Sequence, residues 1–214
     1  MNLLTKLLQR GTSDTELSSQ GTAQGETLVA AGSSDYEEIT RQGFAYHVNS
    51  TTPTASVVAI PTTTAGIAFW NSAADGGKSA VIDAIYAINI VAHSTLGQAG
   101  LIYVVGQTRV AALTNAFVVR KNNGNGPAVG NVLLAATGGA VLDSVTGVAI
   151  GWMPVGQAVN NSVVSLPGNV IFAPVDGRII VPPGRQFGIN VMASNTQFTW
   201  VIGVMWHEKV LSLG

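Results

Sequence analysis

The closing run of the chain limits the fold more tightly than any other stretch. Phe198, Trp200, Ile202, Val204 and Trp206 alternate with Thr199, Val201, Gly203, Met205 and His207. Side chains two positions apart share a face of an extended strand, so this run reads as a β-strand with five large apolar groups on one side. A strand with one face in water reads polar on its second side. Here Val201, Gly203 and Met205 leave the second side largely apolar too. Both faces are therefore expected to be covered, either by a loop of the same chain or by another molecule.

From Tyr36 on, the chain keeps to short β-branched and aromatic runs divided by Gly, Pro and Asn. Strands are predicted over residues 42–48, 56–60, 66–70, 79–93, 100–106, 116–121, 131–136, 147–153, 170–173, 178–181, 186–193 and 199–210. Turn signals fall between them at Asp75-Gly76-Gly77, at 122–127, at Asp176-Gly177 and at Pro182-Pro183-Gly184. Residues 79–93 fit two patterns. Val81, Ile85, Ile88 and Ala92 lie at helical spacing, whereas Ile82, Tyr86, Ile88 and Ile90 line one side of a strand, and the β-branched content favours the strand. Residues 108–115 read as a loop or a single turn. Many short strands at this spacing predict an all-β chain, a β-sandwich of jelly-roll type.

The first 35 residues are built differently. Leu3, Leu4, Leu7 and Leu8 gather on one side of a short helix expected over residues 1–10, with Lys6 and Arg10 opposite. Isolated helices of that length are marginal in water, so this one needs a surface to lie on. Residues 11–25 are rich in Ser, Thr, Gln and Gly, a linker composition. The expected division is an extended N-terminal arm carrying a short helix, residues 1–35, and a sandwich domain, residues 36–214. The arm is either a frayed tail or a tether to a neighbouring molecule.

Composition narrows the partners. Hydrophobic residues make up 47% of the chain and charged ones only 10%, against about a quarter in a typical soluble domain. Ten Lys and Arg scattered along a chain of net charge -1 supply no counterion-displacing surface, so nucleic acid is not an expected direct partner. No apolar run reaches the roughly 18 residues a membrane helix needs. Residues 1–10 are too short for a signal-peptide core, and no small-residue cleavage site follows closely. Neither membrane insertion nor secretion by that route is expected. With no Cys in the chain, disulfides and thiolate metal sites are excluded.

Each catalytic or binding motif lacks a required part. Residues 72–79 end in Gly77-Lys78-Ser79 like a phosphate loop, but that motif needs Gly where Ser72 stands, and a Gly-rich hairpin turn explains the run better. The glycines at 124, 126 and 130 have the wrong spacing for a dinucleotide fingerprint, and Pro127 removes an amide donor. His47, His93 and His207 sit in no metal-ligand spacing. His207 and Glu208 are strand neighbours and point to opposite faces. No GxSxG elbow accompanies the serines. Among the carboxylates only Asp83 lies inside an apolar strand; it needs a partner, and Arg41, Arg109 or Arg178 is expected to supply a structural ion pair. Trp70, Trp152, Trp200 and Trp206 would make a sugar-stacking platform if exposed, but their apolar strands point to core or interface packing.

The polar N-terminal arm, the Ser/Thr/Gly/Ala-rich strands, the Val181-Pro-Pro-Gly184 turn followed by Phe187-Gly-Ile-Asn-Val191, and the final Val204-Met-Trp-His-Glu208 resemble jelly-roll structural proteins of tailed bacteriophage virions. The resemblance spans residues 40–211 and is one of overall texture. It implies a TNF-like sandwich serving as a capsid, head-decoration, fibre or tail-associated subunit, often a trimer, assembled in the host cytoplasm. The chain is therefore expected to be a non-enzymatic homo-oligomer that docks on other virion proteins, with no catalytic, cofactor or metal site. The expected partner contacts are Leu3, Leu4, Leu7 and Leu8 in the arm and Val201 and Met205 on the last strand. The alternative is a carbohydrate-binding β-sandwich used in host recognition, with a glycan as ligand.

Overall fold

The computed structural model describes residues 6–7, 17–18, 35–62, 64–72, 78–91, 97–108, 117–126, 132–142, 151–161 and 169–211. Its elements in chain order are β1 (Lys6–Leu7), β2 (Leu17–Ser18), α1 (Asp35–Arg41), β3 (Ala45–Asn49), β4 (Thr54–Ala55), β5 (Thr64–Asn71), β6 (Lys78–Asn89), β7 (Gly97–Thr108), β8 (Arg120–Lys121), β9 (Val132–Val141), β10 (Met153–Asn161), β11 (Val170–Val181), β12 (Arg185–Ala193) and β13 (Thr199–Val210). Two compact units are distinguished, Met1–Glu37 and Glu38–Gly214. In the first, β1 and β2 pair antiparallel. Lys6 and Leu7 are thus extended where a helix over residues 1–10 was expected, and the described helix is α1 instead.

The second unit is an all-β sandwich. One antiparallel sheet runs β10-β7-β12-β5-β9, the other β11-β6-β13-β3-β8, with β4 also beside β13. The long strands pair from the outside of the sequence inwards: β3 with β13, β5 with β12, β6 with β11 and β7 with β10. Nested pairing of this kind, split alternately between two sheets, is the jelly-roll connectivity. The ambiguous 79–93 run is strand, β6, as far as Asn89, as its β-branched content favoured, and residues 92–93 lie outside the described residues.

Period-2 patterning explains the core. Phe198, Trp200, Ile202, Val204 and Trp206 are all buried between the sheets, facing Phe69, Phe187 and Ile189 from the other layer. Trp206 stacks on Tyr46 at 5.7 Å and meets Phe69 edge-on at 5.0 Å. Aromatic side chains bury about 150–250 Å² each. At about 25 cal/mol per Å² that is roughly 4–6 kcal/mol apiece relative to an extended chain.

Several boundaries differ from expectation, for local reasons. Residues 170–173 and 178–181 belong to one strand, β11, rather than two. The Asp176-Gly177 signal is not a hairpin turn. Both residues take positive φ, 51° and 76°, inside a bulge where the β11–β6 register shifts between Pro174 and Ile179. Residues 56–60 form no strand; β4 precedes them and Val57 makes an isolated bridge to Met192. In 116–121 only Arg120–Lys121 is strand, and β10 starts at Met153 rather than ending there. Of 108–115, all but Thr108 lie outside the described residues.

Candidate interaction face

The last strand was expected to be covered on both sides; its second side lies on the outer face of the β11-β6-β13-β3-β8 sheet, and the outer faces of the two sheets differ. On the β10-β7-β12-β5-β9 sheet, the face turned away from the core carries a second apolar cluster. Ala68 and Trp70 of β5 and Ile102 and Val104 of β7 are buried there under Leu142 and Trp152. Leu142 and Trp152 cover that part of the outer face, while Met192 beside it on β12 stays 37% exposed and lines an open pocket with Val58 and Ile102. On the β11-β6-β13-β3-β8 sheet the described residues form no such second buried cluster.

The register places three rows side by side across the outer face of this second sheet. Val170, Ile88 and Val201 form the first; Phe172, Tyr86, Gly203 and Asn49 the second; Pro174, Ala84, Met205 and His47 the third. Residues directly opposite in an antiparallel pair share a face. None of the eleven is Asp, Glu, Lys or Arg, and the third row then continues to the exposed Arg120 of β8, opposite His47. Val170 is 52% exposed and Phe172 56%, while Ile88, Val201 and Met205 are half-buried. At about 4.8 Å per strand and 3.4 Å per residue, the nine residues other than Asn49 and His47 cover roughly 300 Å². Contiguous apolar patches of that size on a monomer tend to be functional.

The centre of the face is held flat. The Tyr86 hydroxyl donates to Asn49 Oδ1 over the top of Gly203. A Cβ at Gly203 would collide with both the Tyr86 ring and Asn49 Oδ1, so only Gly leaves room for the phenol to lie across the strand. Burial raises the Tyr86 pKa above its ordinary value.

The next row closes the patch with a polar pair. His207 Nδ1 donates to Asp83 Oδ1 at 2.9 Å, with both side chains about one-seventh exposed, 14% and 15%. Asp83 does have a partner, as its buried setting required, but the partner is His207 and not an arginine. Arg41 pairs with Glu38 at 3.5 Å in α1, Arg178 is exposed on the β11 bulge, and Arg109 lies outside the described residues. His47 Nδ1 donates to Asn122 Oδ1 at 2.7 Å.

Of the expected contact residues, Val201 and Met205 stand on this face, two strands away from the exposed Phe172 and Val170, with β6 between. Leu3, Leu4 and Leu8 lie outside the described residues, and of Leu7 only the backbone is described. Phe172 and Val170 escaped sequence reasoning. Residues 170–173 are apolar throughout, and nothing in such a run says which alternate pair faces out.

The other motifs resolve as structure. Lys78 and Ser79 open a strand, not the helix a phosphate loop requires, and Lys78 Nζ sits 5.8 Å from the centre of the Phe44 ring. All four Trp are buried, at 0–9% exposure, so they form no sugar platform. His207 faces out while Glu208 is buried, as strand neighbours must. Among the described residues no three His, Asp or Glu gather where they would hold a metal ion, and no helix is long and apolar enough to cross a membrane. Comparison with known proteins finds no matching family model, no similar curated protein and no similar solved structure.

Proposed function

We propose that this chain is a structural subunit of a virion, held in place by packing rather than by chemistry. The observation that carries the reading is the uncharged, partly exposed face built from Val170, Phe172, Ile88, Val201 and Met205. Exposed Phe and Val on a flat sheet lower solubility unless another surface covers them. A subunit that spends its life assembled meets that condition; a free monomer does not.

The sheet edges support the same reading. Edge strands invite strand-to-strand addition unless they are blunted. β11 carries Pro174 and the Asp176-Gly177 bulge, and β10 carries Pro154 with a register shift between Val155 and Val159. Proline withholds an N–H from any added strand. Association is thereby directed away from these edges and onto faces. The jelly-roll sandwich serves many functions, shell and capsid subunits among them, so the fold is compatible with the role without implying it. In this role the arm, with Leu3, Leu4, Leu7 and Leu8, docks on a neighbouring virion protein while the sandwich self-associates.

Quantitative mass spectrometry of purified particles tests the proposal. The chain is expected in fixed stoichiometry with the other particle proteins, and a chain lacking residues 1–25 is expected to fold yet stay out of the particles. Absence of the full chain from particles overturns the structural role. Normal incorporation of the shortened chain overturns the role of the arm.

A further inference from the structure

We infer that Asn125 is a self-modifying site: the backbone nitrogen of Gly126 attacks its side-chain amide, ammonia leaves, and water completes the conversion to isoaspartate or aspartate. The inference stands apart from the structural-subunit reading, because it needs only this chain and water.

The chain contains two Asn-Gly steps, Asn123-Gly124 and Asn125-Gly126, and both fall in the turn after β8. Ring closure needs the following backbone nitrogen to reach the Asn Cγ, and a side chain on that following residue obstructs the approach. Gly has none, and its backbone rotates through conformations that other residues avoid. Inside a strand or helix the same nitrogen is committed to a hydrogen-bonded partner. Here Gly124 and Gly126 take positive φ, 78° and 71°, and nothing lies within 4 Å of where a Cβ would stand on either. The ring has room to form, and water has room to open it.

The three asparagines of this turn are held to different degrees. Asn122 is anchored: its N–H donates to Ala45 O at 2.9 Å, its Oδ1 accepts from His47 Nδ1 at 2.7 Å, and no Gly follows it. Asn123 is half-buried. Its Oδ1 accepts the Asn125 N–H at 3.1 Å, and its Nδ2 rests beside Gly43, 3.3 Å from where a Cβ would stand there. The Gly124 nitrogen that would attack it donates to Lys121 O at 3.2 Å. Asn125 is exposed, and among the described residues no hydrogen bond holds its side-chain amide. The Gly126 N–H donates within the same turn, to Gly124 O at 2.9 Å, so a local rotation frees it. The attacking geometry is therefore reached with least disturbance at Asn125.

The Gly126 nitrogen bonds to Asn125 Cγ, the Cγ–Nδ2 bond breaks, and ammonia carries away the backbone amide proton, leaving a succinimide. Water then opens one of the two imide C–N bonds. Opening at Cγ leaves aspartate in a normal backbone. Opening at the main-chain carbonyl carries the chain through Cγ as isoaspartate. Either product adds one negative charge to a chain of net charge -1, a few residues from Arg120 and Lys121. Because the ring closes unaided, the converted fraction grows with the age of each copy.

Peptide mass spectrometry of the folded full chain, aged in warm, mildly alkaline buffer, tests this. Asn125 is expected to show the mass change of an amide exchanged for a carboxylate, and to give isoaspartate together with aspartate, a mixture that direct hydrolysis does not produce. Asn123 is expected to convert about 5-fold more slowly, the rate equivalent of one net hydrogen bond. In the full chain unfolded in urea the two rates are expected to converge, because both are then Asn-Gly steps in open chain. Asn125→Gln is expected to remove the conversion there, since Gln must close a larger ring, while Asn123→Gln leaves Asn125 converting.

A folded chain in which Asn125 does not convert overturns the inference, as does aspartate without isoaspartate. Equal rates at the two positions in the folded chain, or a faster Asn123, overturn the assignment to Asn125. A gap that persists unchanged in urea overturns the argument from the geometry of the turn.

Discussion

Replacing Gly203 by Ala puts the flat centre of the exposed face to a direct test. The added methyl would occupy space now held by the Tyr86 ring and Asn49 Oδ1, and the Tyr86 hydroxyl donates to that oxygen. Three effects of known size compete. Forcing a methyl into a filled site costs about 1–3 kcal/mol. Pushing the phenol off Asn49 loses a hydrogen bond worth about 1 kcal/mol. Against these, Ala recovers about 0.5–1 kcal/mol because Gly surrenders more backbone entropy on folding. The net expectation is a loss of about 1–3.5 kcal/mol, so the steric effect decides the sign.

Urea denaturation followed by tryptophan fluorescence measures it. The four Trp are buried and report loss of the sandwich. A double-mutant cycle with Tyr86→Phe sharpens the outcome. In the native background, removing the hydroxyl should cost about 1 kcal/mol. In the Gly203→Ala background the ring has already moved, so the same change should cost almost nothing. A Gly203→Ala chain within about 0.5 kcal/mol of wild type, the range of ordinary surface changes, would show that the Tyr86–Gly203–Asn49 arrangement does not hold the face.

Two further perturbations probe the layers on either side. Trp206→Ala removes a fully buried ring that stacks on Tyr46 and meets Phe69 edge-on, and should destabilise by about 3–5 kcal/mol; a midpoint shift under about 1 kcal/mol would place Trp206 outside the main core. Asp83→Ala leaves His207 Nδ1–H without its acceptor in a largely buried setting, and should cost about 1–3 kcal/mol in chemical denaturation, an effect absent in a chain already carrying His207→Ala.

What the amino-acid order disclosed follows from the range of the forces involved. Strand identity is local, and the alternation from Phe198 to Trp206 declares both the strand and its buried side, because period 2 leaves no other way to hide five large apolar groups. The same alternation sends His207 out and Glu208 in. A bulge is less legible. Asp176-Gly177 has the residue types of a tight turn, and only the continuation of pairing to β6 on both sides makes it an interruption within one strand. Partners are least legible of all. Asp83 reaches His207 across 124 positions of sequence, and Tyr86 reaches Asn49 across 37, because a jelly roll sets β6 beside β13 and β13 beside β3. No local pattern encodes that adjacency.

The apolar second face of the last strand belongs to one sheet, and the described residues cover the outer faces of the two sheets to different extents. Where β5 and β7 present apolar groups outward, Leu142 and Trp152 come back over them and the side chains of Ile102, Val104 and Trp70 are buried within the same chain, while Met192 of β12 stays 37% exposed. Where β11, β6 and β13 do so, the rows around Tyr86 and Gly203 stay open, and Phe172 keeps over half its surface. Burying apolar area favours covering either face at about 25 cal/mol per Å². On the structural-subunit proposal, the stabilisation left at the open rows is collected on association, while the cluster under Trp152 contributes to folding of a single copy. Solubility and self-association of the Phe172→Glu chain consequently change together, whereas substitutions over Trp152 change folding stability alone.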